Sequence, residues 1–292
     1  DALPVETKSL PEALSQINAL TGKKFIIIID EWDVLIRDEA SNAKAQEDYI
    51  NFLRGMFKGT EPTKYIQLAY LTGILPIKKE KTQSALNNFD EFTMLSPSRL
   101  APYIGFTEEE VKSLAEEYDQ DFEEVKRWYD GFCFGEMKDI YNPWSIINYL
   151  DKKEVAPYWA NTSSNSLIGT LIREGNTQVK ESFELLLSGK EIITELDEQI
   201  VYDQLDLEET AIWSLLLASG YLKVEEKIRD DSDYLNWKQL YRLKLTNFEV
   251  QVMFAHMVKN WFSKAGGDYN AFIKAMLHGN IKGKYQTLRI CI

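Results

Sequence analysis

Apolar residues recur at helical spacing from Leu10 through Ala13, Leu14 and Ile17 to Leu20, then crowd into an unbroken run, Phe25 to Ile29, that stops at Asp30 and Glu31. Ser9 with Glu12 reads as a capping box, Pro11 suits a first helical turn, and Gly22 ends the helix. The β-branched run that follows predicts a strand buried on both faces. A second helix is expected over 45–57, with Tyr49, Ile50, Leu53 and Met56 on one face and Gly59 and Pro62 as stops. YIQLAYLTGIL, 65–75, predicts a second buried strand, and EFTML, 91–95, a short third. Helix–strand–helix–strand order implies parallel strands joined by right-handed crossovers.

From Ala101 the pattern turns helical. Thr107 and Glu110 form another capping box, DFEEVKRWYDGF reads as a helix ending near Gly131, and Asn142 caps a helix whose first turn holds Pro143. Asn161 or Thr162 is expected to cap the next helix, SNSLIGTLI. Over 181–262, FELLLSG and ETAIWSLLLASGYL predict helices, YLKVEE and QLYRLKLTN the strands of a hairpin with an acidic tip, and NFEVQVMFAHMVKNWF a closing amphipathic helix. Helices followed by a two-stranded wing suggest a winged helix. The fold class expected is an α/β core of parallel strands, then a helical region, then a winged helix, predominantly helical overall.

Composition narrows the partners. The 292 residues are 45% hydrophobic and 27% charged, enough for a sizeable core. A net charge of −13 repels phosphate backbones and anionic lipid, so a general nucleic-acid binder is disfavoured. Cys133 and Cys291 show no CxxC spacing, as expected of free thiols in a reducing, cytoplasmic compartment. No apolar run approaches a membrane span. The chain starts at Asp1 without an initiator Met, and a fragment or trimmed chain is expected.

The chemistry concentrates at strand ends. Ligands of parallel sheets bind beyond the carboxyl ends of the strands, where Asp30 and Glu31 fall. Asp30 is the candidate Mg²⁺ ligand, through a water, because Mg²⁺ keeps much of its hydration shell. Glu31 is the candidate for polarising an attacking water, with Asp33 and Arg37 in support. The next strand ends in Thr72-Gly73, where a second polar residue would meet a γ-phosphate. An apolar strand that simply ends in solvated acids gives the same pattern. A phosphate loop of the form GxxxxGK[ST] does not occur; SGKE at 188–191 lacks a preceding strand, and NIKGKY at 280–285 fares no better. His256 and His278 have no second ligand at metal spacing. ExK triplets at 110–112, 124–126 and 225–227 are expected by chance in a chain rich in Glu and Lys.

IIIIDEWDVLIRDE, YLTGILPIKKE, WYDGFCFG, IYNPWSIINYL, YWANTSSNSLI, AIWSLLLASGYL and YRLKLTNFEV resemble, in order, successive motifs of the bacterial AAA-ATPase-like family, over about residues 10 to 262. The resemblance implies a partial P-loop ATPase core at 1–100, a helical lid at 101–180, a winged helix at 181–262 and a tail at 263–292. It implies Mg²⁺ and ATP as ligands of the intact protein. Asp30, Glu31 and Thr72 match the family's strand ends. Asn142 and Pro143, at the start of a lid helix, become nucleotide-side candidates. The expected phosphate loop is missing and would lie upstream of Asp1. Many members of the family carry a PD-(D/E)xK nuclease-like domain, which finds no match here. The expected function is a nucleotide-dependent switch with a protein partner; the rivals are a non-catalytic scaffold module and the regulatory part of a nuclease. The apolar segment AIWSLLLASGYL and the acidic wing favour a packing or protein-binding role over DNA contact.

Overall fold

The computed structural model describes residues 9–38, 42–74, 86, 88–159, 166–198, 209–230 and 238–263. The chain divides into two compact units, Asp1–Glu91 with Gln199–Gln204, and Phe92–Glu198 with Leu205–Ile292.

In the first unit, α1 (Leu10–Thr21) starts at Ser9, whose side chain accepts from Glu12 N. It ends at Gly22, whose positive φ of 68° suits a residue without a Cβ. Strand β1 (Phe25–Ile29) pairs in parallel with β2 (Ile66–Leu71), in register Ile26↔Leu68 through Ile29↔Leu71. The crossover runs through α2 (Val34–Asp38), α3 (Ala43–Phe57) and α4 (Pro62–Tyr65). Helix α3 buries Gln46, Ile50, Leu53, Met56 and Phe57, the three-to-four spacing of a core-facing stripe. Gln46 Nε2 donates to Ile36 O at 3.2 Å and ties α3 to α2.

The expectation that β1 is buried on both faces is corrected. Its residues alternate between half-buried and exposed; Ile26 is 63% and Ile28 71% exposed. Leu68 and Tyr70, their register partners, are exposed as well. Among the described residues this sheet has two strands and one of its faces carries no cover.

In the second unit, a 3-10 turn (Ser98–Tyr103) leads to β3 (Phe106–Thr107) and α5 (Glu108–Glu117), which opens with the expected reciprocal capping box of Thr107 and Glu110. EFTML is not a strand: Thr93 N donates to Ser96 O at 3.3 Å, closing a turn. Helix α6 (Phe122–Tyr129) ends before Gly131, and the chain continues as the hairpin β4 (Asp130–Phe134) and β5 (Met137–Tyr141), giving a sheet ordered β3–β5–β4. Val111, Val125, Tyr129, Tyr141, Ile146, Tyr149 and Leu150 form one core cluster there.

Helix α7 (Pro143–Lys152) follows its Asn142 cap. Then come α8 (Ser166–Glu174), α9 (Thr177–Leu187), β6 (Ile192–Glu195), α10 (Glu209–Ala218), β7 (Leu222–Asp230), β8 (Lys238–Leu245) and α11 (Phe248–Ser263). The last three strands form an antiparallel sheet ordered β6–β8–β7. Ala211 through Leu217 of α10 are all buried, so α10 is a core helix on every side. The expected caps Asn161 and Thr162 lie outside the described residues; of the tip expected over 227–238, 227–230 instead extend β7, Lys238 starts β8, and 231–237 lie outside the described residues.

Candidate functional site

Parallel pairing sets the carboxyl ends of β1 and β2 side by side. The ladder continues past both strands: Thr72 N donates to Ile29 O at 2.9 Å and Trp32 N to Thr72 O at 2.8 Å. The Thr72 hydroxyl sits between the two acids. It donates to Asp30 Oδ1 and accepts from Glu31 N at 3.0 Å. Glu31 has a left-handed backbone, φ 50°, an uncommon state for a residue with a Cβ. The turn leaves the Asp30 and Glu31 side chains exposed and sends the next two residues inward, Trp32 to 3% and Asp33 to 0% exposure.

Asp33 locks the second strand end to the first. Its Oδ2 accepts from Ile74 N at 3.0 Å. A Cβ on Gly73 would lie 2.5 Å from Trp32 Cδ1 and 2.9 Å from Asp33 Oδ1, so only glycine allows the two turns to approach this closely. From α3, the Tyr49 hydroxyl donates to Trp32 O at 2.8 Å. Burial pushes the Tyr49 phenol up, and the Asp33 carboxylate adds to the shift. The phenol therefore stays a donor.

Asp30, Glu31 and Thr72 are thus brought together. A threonine hydroxyl has one hydrogen, and Thr72 has given it to Asp30. As placed, it has none left for a phosphate oxygen. Thr72→Val is expected to cost about 1 kcal/mol, because it removes both bonds at a largely solvated site, while Thr72→Ser stays near wild type. Urea denaturation of the two variants measures this; equal stability of the valine and serine forms would show that the hydroxyl bonds contribute nothing.

Asn142 and Pro143 lie in the second unit, where they start α7. Asn142 Oδ1 accepts from Trp144 N at 2.9 Å and Ser145 N at 3.3 Å. The Arg37 side chain lies outside the described residues, as does 280–285. Ser188-Gly189-Lys190 closes the carboxyl end of α9, with Lys190 N donating to Leu185 O at 2.9 Å. The negative end of a helix dipole repels phosphate, so this turn is not a phosphate cradle. The ExK triplets at 110–112 and 124–126 lie on α5 and α6, and that at 225–227 lies within β7, where Glu226 pairs with Arg242 at 3.0 Å. Among the described residues no group of three or more His, Cys, Asp or Glu side chains can hold a metal ion. One water-mediated carboxylate, Asp30, still fits Mg²⁺ carried by a nucleotide, since phosphate oxygens and waters supply the other positions. No helix among the described residues is long and apolar enough to cross a membrane.

Every residue of this strand-end site falls within residues 5–82, the stretch that matches the AAA-ATPase-like family, described as "Predicted AAA-ATPase". Over a longer span the chain is similar to an "Uncharacterized protein in vnfD 5'region" from Azotobacter chroococcum mcd 1, with 24% identity over 244 residues. That match takes in 82% of this chain and 44% of the relative, so the chain spans less than half of the relative's length. No solved structure matches.

Proposed function

We propose that this chain carries the metal- and water-handling half of an ATPase site that works as a nucleotide-dependent switch. The observation that carries the proposal is the Thr72 hydroxyl bridging Asp30 Oδ1 and Glu31 N, which fixes two exposed acids at the carboxyl ends of neighbouring parallel strands. The family match over the same residues supports it. In this reading Asp30 would hold waters of a nucleotide-borne Mg²⁺, Glu31 would accept a hydrogen bond from the hydrolytic water, and Thr72 orients Asp30. Bound Mg²⁺·ATP would supply the charge neutralisation and the electrophilic phosphorus. Asn142 and Pro143 are retained as nucleotide-side candidates on a lid of residues 101–180. The strand order β6–β8–β7 behind α8 and α9 supports a winged helix over 181–262. The burial of α10 supports a packing role for it in preference to nucleic-acid contact, and a protein partner is kept as part of the proposal.

A non-catalytic interaction module is the second reading. It is favoured by the exposed apolar face of Ile26, Ile28, Leu68 and Tyr70.

The test is ATP hydrolysis and ATP binding by the natural full-length polypeptide. Glu31→Gln is expected to lower turnover by about 100-fold or more, on the order seen when a water-orienting group is removed, while nucleotide still binds. Asp30→Asn should weaken binding of Mg²⁺·ATP but not of metal-free ATP. Residues 1–292 alone, which contain no GxxxxGK[ST], are expected to give no saturable heat with Mg²⁺·ATP. Binding without turnover in the wild type would establish the interaction module instead.

A further inference from the structure

The chain passes from the first unit to the second between Glu91 and Phe92, and back between Glu198 and Gln199. A further passage, Gln204 to Leu205, lies outside the described residues. The two described ends of the second unit, 92–97 and 196–198, belong to no helix or strand. Backbone of that kind has no ladder to hold it, so its position depends on individual hydrogen bonds. Here the two ends are bonded to each other. Glu198 Oε1 accepts from the Thr93 hydroxyl and from Leu95 N, the latter at 3.3 Å. Thr93 and Glu198 are both half-buried and stand 105 residues apart in sequence. A side chain that merely locked its own turn would find its partner a few residues away.

Each end is also anchored to a different part of the second unit. At the first, the Thr93 hydroxyl accepts from Ser96 N at 3.0 Å, and Met94 O accepts from Gly135 N at 2.7 Å. Gly135, with φ 61°, makes the turn between β4 and β5. A Cβ there would lie 3.0 Å from Pro97 Cδ, so 92–97 is seated directly on the hairpin turn. At the second, Asp197 N donates to Ser214 Oγ at 2.8 Å. Ser214 is buried in α10 and donates in turn to Thr210 O at 2.8 Å. Glu198 stands where these two arms meet.

We propose that Glu198 is the pin of a two-armed joint: it fastens the two ends of the second unit to each other, so that a displacement arriving through either one reaches the β4–β5 turn and α10 together. Without the pin, 92–97 would move with the hairpin turn alone and 196–198 with α10 alone. The joint stands whether or not the strand-end acids hydrolyse ATP. In the proposed switch it is the route by which movement of the first unit enters the second.

The experiment is amide hydrogen exchange of the 292-residue chain at low urea, read at three amides that donate within the joint: Leu95, Gly135 and Asp197. In the wild type, which needs no variant to fold, the three should open with one urea dependence, as members of one cooperative unit. Glu198→Ala should raise exchange at all three by at least about tenfold, because bonds to a charged acceptor are the stronger kind. Glu198→Gln should stay within about threefold of wild type, since a single amide oxygen can take both bonds. Thr93→Val alters the first end alone, yet it should raise exchange at Asp197 as well. Three different urea dependences in the wild type, or a Thr93→Val effect confined to 93–96, overturns the joint.

Discussion

Gly131→Ala is expected to destabilise the second unit by about 4 kcal/mol or more, a large part of the stability of an ordinary domain. Gly131 has φ 138°, a region that side chains rarely enter. A Cβ built there would lie 1.9 Å from Thr246 O and 2.9 Å from its carbonyl carbon. Both are backbone atoms, so no rotamer change relieves the overlap. β4 and the residue after β8 would have to separate by about an ångström or more. That movement would also strain the Asn247 Nδ2 bond to Tyr129 O, 3.2 Å long. Overpacking and backbone strain each cost about 1–3 kcal/mol, and here they coincide. Gly55 is the control. It lies inside α3 with nothing within 4 Å of the position a methyl group would take, so Gly55→Ala should stabilise by about 1 kcal/mol. Urea denaturation of the two variants gives opposite signs if this reading holds. A wild-type-like Gly131→Ala would mean that β4 does not approach Thr246 so closely.

The same glycine shows where the sequence was hard to read. WYDGF marks the end of a helix, and α6 does end there. The hairpin that follows left no period-two signal, because Gly131 through Phe134 are all buried and the register shifts twice. A strand buried throughout and broken by bulges offers no alternation to find. Helix starts were legible wherever a short polar side chain meets its own backbone: Ser9, Thr107 and Asn142 all cap as their spacing implies. The β1 and β2 runs were legible as strands, but their exposure was not. Burial depends on what covers a face, and a run of five apolar residues does not encode its neighbours.

At the candidate site, Asp30, Glu31 and Thr72 could be placed together because parallel strands align their ends. The direction of the Thr72 hydroxyl could not, since a side-chain rotamer decides between Asp30 and a ligand. Asp33 reads as a support for the acid pair one short turn further on, yet it is the most buried residue of the turn. Its partner, Ile74 N, lies 41 residues away, beyond any local pattern.

Glu249→Ala carries the other large expected effect, a loss of about 3–5 kcal/mol. Glu249 lies in the first turn of α11 and is fully buried. Its two oxygens serve different segments: Oε2 accepts from Ser145 Oγ of α7 at 2.8 Å, and Oε1 from Trp159 N at 2.7 Å. A carboxylate also gains from the positive end of the α11 dipole. Truncation would remove this acceptor from the buried Ser145 hydroxyl and the half-buried Trp159 amide, the first costing about 1–3 kcal/mol and the second adding to it. Glu249→Gln should recover part of the loss, because one amide oxygen can still accept while its NH₂ faces a donor. A double-mutant cycle with Ser145→Ala isolates the α7 arm, whose coupling should be about 1–2 kcal/mol. In the proposed switch this tie makes α7 and α11 move as one body, so the glutamine variant should raise hydrogen exchange in both helices together. Additive single and double variants, or exchange that rises in α11 alone, would show that Glu249 anchors its own helix and leaves α7 independent.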